Sequence, residues 1–120
     1  EAITLFKEAQ KLDPNLEIEA QSWNSLCRFG SINRHAEKVL SFGCKQAVEL
    51  TPDNTNYLDS RGLARALTGN TPGAITDFQA FVNDPQFDEE YRNKRKQWIK
   101  ALEKGENPFT DEVLEELRNE

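Results

Sequence analysis

Apolar residues recur along this chain at helical spacing, in short runs punctuated by proline, glycine and asparagine. Ala2, Ile3, Phe6 and Ala9 fall at i, i+1, i+4 and i+7, one face of a helix. That helix ends near Leu12, because a residue preceding proline, here Pro14, is biased away from helical angles. Ala20, Trp23, Leu26 and Cys27 predict a helix from Ile18 to Phe29, with Gly30, Ser31 and Asn33 as the turn after it. A partner helix is expected from Ala36 to Leu50, with Val39, Leu40, Ala47 and Leu50 inward, stopped by Thr51-Pro52-Asp53-Asn54. Tyr57 to Leu67 is the next, ended by Thr68-Gly69-Asn70. Thr71 as N-cap and Pro72 at the first helical position start a helix to about Val82, with Asp77 and Gln79 exposed. A polar helix from about Asp88 to Lys104 closes at Gly105. Asn107-Pro108-Phe109 is a loop, and Thr110 caps a short helix through about Arg118. No segment alternates with period two, so the fold class is all-α.

The helices repeat. Leu12-Asp13-Pro14-Asn15, Leu50-Thr51-Pro52-Asp53 and Asn83-Asp84-Pro85-Gln86 place prolines 38 and 33 residues apart. Upstream of them three columns align at offsets of 38 and 34: Ala2, Leu40 and Ala74; Phe6, Cys44 and Phe78; Ala9, Ala47 and Phe81. Periods of this length mark stacked antiparallel helix pairs, each exposing too much apolar surface to stand alone.

Tyr57 to Pro85 resembles a tetratricopeptide (TPR) repeat, with Leu58-x2-Arg61-Gly62, then Ala74-x3-Phe78, then Pro85, and Gly69-Asn70 at the helix–helix turn. The preceding unit carries Trp23-x2-Leu26-Cys27, Leu40, Cys44, Ala47 and Pro52, departing from the pattern in longer turns and in Gly30 at the usual aromatic position. The resemblance implies repeats over residues 1–104: a partial repeat at 1–14, full ones at 17–52 and 55–85, and a capping helix at 88–104. Residues 105–120 follow as a loop and short helix. It implies a short right-handed solenoid of antiparallel helix pairs with a C-terminal capping helix, Arg95 standing on the watery side of that cap where a small residue is usual. The strings from Asp59 to Asn70 and from Gly105 to Thr110 also resemble helical C-terminal regions of large bacterial proteins, mainly cyanobacterial, that follow NTPase, peptidase-like or WD-repeat modules.

Composition narrows the function. At 120 residues the chain is one domain or part of a larger protein, and the absence of Met suggests an excised or processed piece. An apolar fraction of 37% and mean hydropathy of -0.76 suit thin helical layers with much wetted surface. Fifteen basic against twenty-one acidic residues, a formal charge of -6, disfavour nucleic acid as a general partner. No apolar run approaches the roughly 20 residues of a membrane span, and the start does not resemble a signal peptide. Two cysteines are too few for a secreted disulfide scaffold, so a cytoplasmic setting is expected.

Candidate chemistry is sparse. The repeat register brings Cys27 and Cys44 to facing helices, as a redox switch, half a metal site, or two inert thiols filling small packing slots; packing is the favoured reading. His35 lacks a nucleophile or an orienting partner and is expected at the surface. The chain has no G-x-S-x-G, H-E-x-x-H or P-loop string, and Gly69-Asn-Thr-Pro-Gly73 lacks the lysine and strand of a phosphate loop. Asp111, Glu112, Glu115 and Glu116 read as a solvated helix face opposite Val113, Leu114 and Leu117. No catalytic residue, cofactor or metal ligand is expected, and the chain is not expected to be an enzyme. Residues 92–96 form the only basic run, a weak candidate for nucleic-acid contact beside Tyr91 and Trp98.

The TPR resemblance implies a protein or peptide partner on the concave wall made by the first helix of each pair. Mapped onto this chain, that wall takes Asn24 and Arg28, then Asp59 and Leu63, then Arg92 and Lys96. Asp59 and Leu63 depart from the Lys and Asn of the subclass that clamps a terminal carboxylate. The bound segment is expected to be partly acidic, with an apolar residue over Leu63.

Overall fold

A computed structural model describes residues 2–13 and 18–120, and the expectations attached to Pro14, and to the side chains of Ala2 and Ile3, lie outside the described residues. The chain is all-helical, with no strand among the described residues. The helices are α1 Ala2–Leu12, α2 Ala20–Ile32, α3 Ala36–Val39, a π-helical turn Leu40–Cys44 running into α4 Lys45–Leu50, then α5 Thr55–Leu67, α6 Thr71–Val82, α7 Glu89–Glu103 and α8 Asp111–Arg118. α2 packs on the rod from α3 to α4, α5 on both α2 and α6, and α6 on α7.

The helix ends follow from local chemistry. Gly69 and Gly105 adopt φ of 91° and 80°, and each turn closes with a bond that reaches back past the last helical turn, Asn70 N–H to the Arg65 carbonyl and Glu106 N–H to the Ala101 carbonyl. The turn after α2 is different from expectation. Gly30 and Ser31 are inside the helix, and Arg34, at φ 68°, takes the left-handed position while His35 N–H reaches the Gly30 carbonyl. Gly30 serves packing instead, since a Cβ there would lie 2.5 Å from Val39 Cγ1. The start of α6 is also shifted by one: Asn70, not Thr71, is the N-cap and accepts from Gly73 N–H, with Thr71 already helical.

Two apolar clusters form one after the other along the chain. The first gathers Trp23, Leu26, Cys27, Ala36, Val39, Cys44, Ala47 and Ala64, with Phe6 of α1 at its margin, edge-on to Trp23 at 5.3 Å. The second gathers Ile32, Leu63, Ala74, Phe78, Val82, Trp98, Ile99, Leu102, Phe109, Leu114 and Leu117. Of the aligned columns, Cys44, Ala47, Ala74, Phe78 and Phe81 are buried and Phe6, Ala9 and Leu40 half-buried, whereas Leu50, expected inward, is exposed. Gly62 meets α6 closely, a Cβ there falling 3.0 Å from both Asp77 Cβ and Phe78 Cε1.

Cys27 and Cys44 do lie together, but not as free thiols: they form a disulfide between α2 and the π-helical turn, fully buried. Gly43 makes the approach possible, because a Cβ there would press on the Trp23 carbonyl at 3.1 Å and the Cys27 amide at 3.2 Å. Asp77 corrects another expectation. It is 1% exposed, and its carboxylate accepts from Arg61 Nε at 2.9 Å, Arg61 Nη2 at 2.8 Å and Arg65 Nη1 at 3.2 Å. A buried carboxylate must be paired, and one turn of α5 supplies both guanidinium groups.

Candidate functional site

Helices α2, α5 and α7 present neighbouring faces, and a chain of charges crosses them. Asp59 of α5, 2% exposed, receives Arg95 Nε at 3.0 Å and Arg95 Nη2 at 2.7 Å from α7, and Arg28 Nη1 at 3.4 Å from α2. Arg95 itself is 1% exposed and lies 4.3 Å from the Phe81 ring centre and 4.6 Å from that of Trp98. Burial alone would depress the Arg95 pKa, but its hydrogen bonds and attraction to Asp59 and Glu120 outweigh this and hold the guanidinium above its ordinary value.

The same face carries α8. Its Leu114 and Leu117 enter the second apolar cluster together with Ile32 of α2, Leu63 of α5 and Ile99 of α7. Polar contacts run along its length: Arg34 to Asp111 at 2.6 Å, Arg118 to Asn33 at 2.9 Å, and Arg28 to the Glu120 carboxylate at 3.4 Å. Glu120 also accepts from Arg95 Nη2 at 2.8 Å and lies 3.8 Å from Lys94 Nζ. Beyond Glu120 a cleft of about 240 Å³ opens, lined by Arg28, Asn56, Phe81, Phe87 and Tyr91.

The six residues expected to form an open wall are therefore split. Arg28 faces Glu120 and Asp59. Asn24, Asp59 and Leu63 are buried within the chain and offer no open surface. Arg92 turns back to donate Nε–H to the Phe87 carbonyl at 3.0 Å, and Lys96 is exposed. Arg95 and Lys94, which the spacing argument passed over, bring the charge instead. The signal was present: Arg95 stands at i+4 from Tyr91 and i−3 from Trp98, inside the apolar stripe, so the watery side assigned to it is wrong.

The basic run 92–96 is not a free cationic patch, with Arg92, Lys94 and Arg95 all engaged within the chain. His35 is exposed at the start of α3, beside Arg34, Glu37 and Lys38. No group of three or more His, Cys, Asp or Glu is placed to hold a metal ion among the described residues. No helix of the described residues is long and apolar enough to cross a membrane. Compared with known proteins, the chain matches no family model, no curated protein and no solved structure.

Proposed function

We propose that the chain is a TPR-like protein–protein interaction module, an accessory scaffold of a larger bacterial protein, that binds a peptide or protein segment across the face of α2, α5 and α7. The observation that carries this is the Arg28–Asp59–Arg95 array, which brings one residue from each of these helices to a single face beside an unfilled cleft. No nucleophile–base pair is part of the reading, and a non-enzymatic role follows from it. The Cys27–Cys44 disulfide favours an oxidising compartment over the cytoplasm, because cytosolic thiol pools keep such cysteines reduced.

A photocrosslinker at Asn56 or Lys96, at the edge of this face, is expected to capture a partner that the same probe at Thr76 or Gln79, exposed on α6, does not. Equal capture at all four positions, or none, removes the face from consideration. The second reading is a structural tail without a ligand, favoured by the burial of Leu63 in the cluster that α8 completes. Under it, none of the four positions crosslinks to another protein.

A further inference from the structure

α8 has the chemistry of a ligand for the face it covers. At eight residues it is shorter than a helix that water alone sustains, so its docking holds it helical. Three apolar side chains, one arginine and one carboxylate do the docking: Leu114 and Leu117 in the apolar cluster with Val113 against it, Arg118 on Asn33, and Glu120 against Arg28, Lys94 and Arg95. The pair at its other end, Arg34 with Asp111, is largely exposed, and such pairs contribute little. Phe109, just before α8, is anchored by itself, with ring centres 5.0 Å from Trp98 and 6.0 Å from Phe78. Thr110, the N-cap of α8, separates this anchor from the helix that follows.

The face beneath is also incompletely used. On α2, Asn24, Arg28 and Ser31 fall at i, i+4 and i+7, on one side of the helix. Asn24 Oδ1 and Ser31 Oγ are buried without a hydrogen-bond partner among the described residues, where buried polar groups are ordinarily paired. The cleft beyond Glu120 stays unfilled between Arg28, Asn56, Phe87 and Tyr91. α8 therefore fits the face without exhausting it.

We infer that this face is a binding site for an acidic amphipathic helix of a partner protein, and that α8 is its intramolecular stand-in, displaced when the partner docks. The inference rests on the reading of this face as a protein-binding one. The partner helix carries two apolar residues three apart, as Leu114 and Leu117 are, and a carboxylate three residues further on, as Glu120 is. It is longer than α8, with a further apolar side chain over Tyr91 and Phe87. The unfavourable local opening of α8 lowers the apparent affinity of any partner by the fraction of chains that are open.

The probe is a fluorescein-labelled peptide copying residues 110–120, added to the full chain. Leu114→Ala with Leu117→Ala in the chain weakens the internal α8, and the peptide is expected to bind this variant at least tenfold more tightly than the wild type. Adding Arg28→Gln to that variant should reverse most of the gain. Equal affinity for wild type and variant, or no change on Arg28→Gln, overturns the proposal. Hydrogen exchange of the wild-type chain supplies an arm that needs no variant: α8 amides are expected to exchange at least tenfold faster than those of α6. Equal protection makes α8 a fixed part of the core and also overturns it. A stable dimer with α8 exchanged makes a second copy the occupant and overturns it as well. If α8 proves fixed while the Asn56 or Lys96 probe still captures a partner, only this inference fails. If α8 opens and the peptide binds but no partner is captured, the broader reading fails and takes this inference with it.

Discussion

Arg95 and Asp59, 36 positions apart in the sequence, form a two-bonded ion pair that is almost wholly buried, with a second carboxylate, Glu120, bonded to the same Nη2. Desolvating two charges costs several kcal/mol per ion, and the attraction between them offsets this only while both partners are present. Asp59→Ala is therefore expected to cost about 3–5 kcal/mol in urea unfolding, leaving Arg95 buried with Glu120 alone. The joint replacement of Asp59 by Leu and Arg95 by Met is expected to fall far short of the sum of the single losses, or to stabilise. A double variant as unstable as that sum would mean that the pair is not a coupled unit.

The helices themselves were legible, because apolar spacing and turn residues act locally. α4 to α8 end within a residue or two of where proline, glycine and capping residues place them. What escaped was whatever depends on two segments at once. Asp77 reads as a polar residue on a helix surface until α5 is laid beside it, and only then do Arg61 and Arg65 explain its burial. Arg95 and Asp59 share this logic: each interrupts an apolar stripe, and opposite charges at such interruptions on neighbouring helices are a pairing signal. The cysteines were readable as neighbours from the repeat register, yet the register says nothing about oxidation. The covering of Leu63 lay beyond the repeat pattern altogether, since α8 belongs to no repeat.

Gly62 tests the packing of α5 on α6. A glycine inside a helix costs about 1 kcal/mol relative to alanine, so its presence needs a steric reason. That reason is the 3.0 Å approach of Asp77 Cβ and the Phe78 ring, both held in place, one by two arginines and the other by the aromatic core. Gly62→Leu is expected to lower stability by about 1–3 kcal/mol through overpacking. Gly62→Ala is expected to be much milder, as helix propensity offsets part of the clash. Equal melting temperatures for wild type and Gly62→Leu would show that α5 and α6 do not meet here.

The disulfide makes a chemical prediction that free, buried cysteines would not. The chain unfolded without reductant should show no reactive thiol, and two after reduction, in a mass-tagging assay. Its ends are 17 residues apart, and closing a loop of that size restricts the unfolded chain by about 3 kcal/mol. Reduction should therefore lower the denaturant midpoint, and Cys27→Ala with Cys44→Ala should reproduce the loss without further sensitivity to reductant. Rapid tagging of both positions in the unreduced protein would return the pair to the class of free thiols.

Asp84 provides a pH signature. The Thr55 hydroxyl, bonded to its carboxylate across 29 residues of sequence, lowers its pKa below 3.8, with further help from the Gln86 backbone amide and side chain. A carboxyl whose folded pKa is depressed contributes stability that is present above its unfolded value and lost as pH falls through the folded one. The contribution is thus complete near neutrality and disappears only below pH 3.8, in a window where the start of α5 loosens from the loop after α6. Thr55→Val removes the largest cause, so the Asp84 carboxyl midpoint followed by carbon NMR should rise toward 3.8 without reaching it, because Gln86 still donates. The same substitution should flatten the acid limb of the stability curve while leaving the neutral limb parallel to that of the wild type. An unchanged Asp84 midpoint in Thr55→Val would mean that the hydroxyl does not hold this carboxylate, and that α5 is fixed at its N-terminus by the Asn54 cap alone.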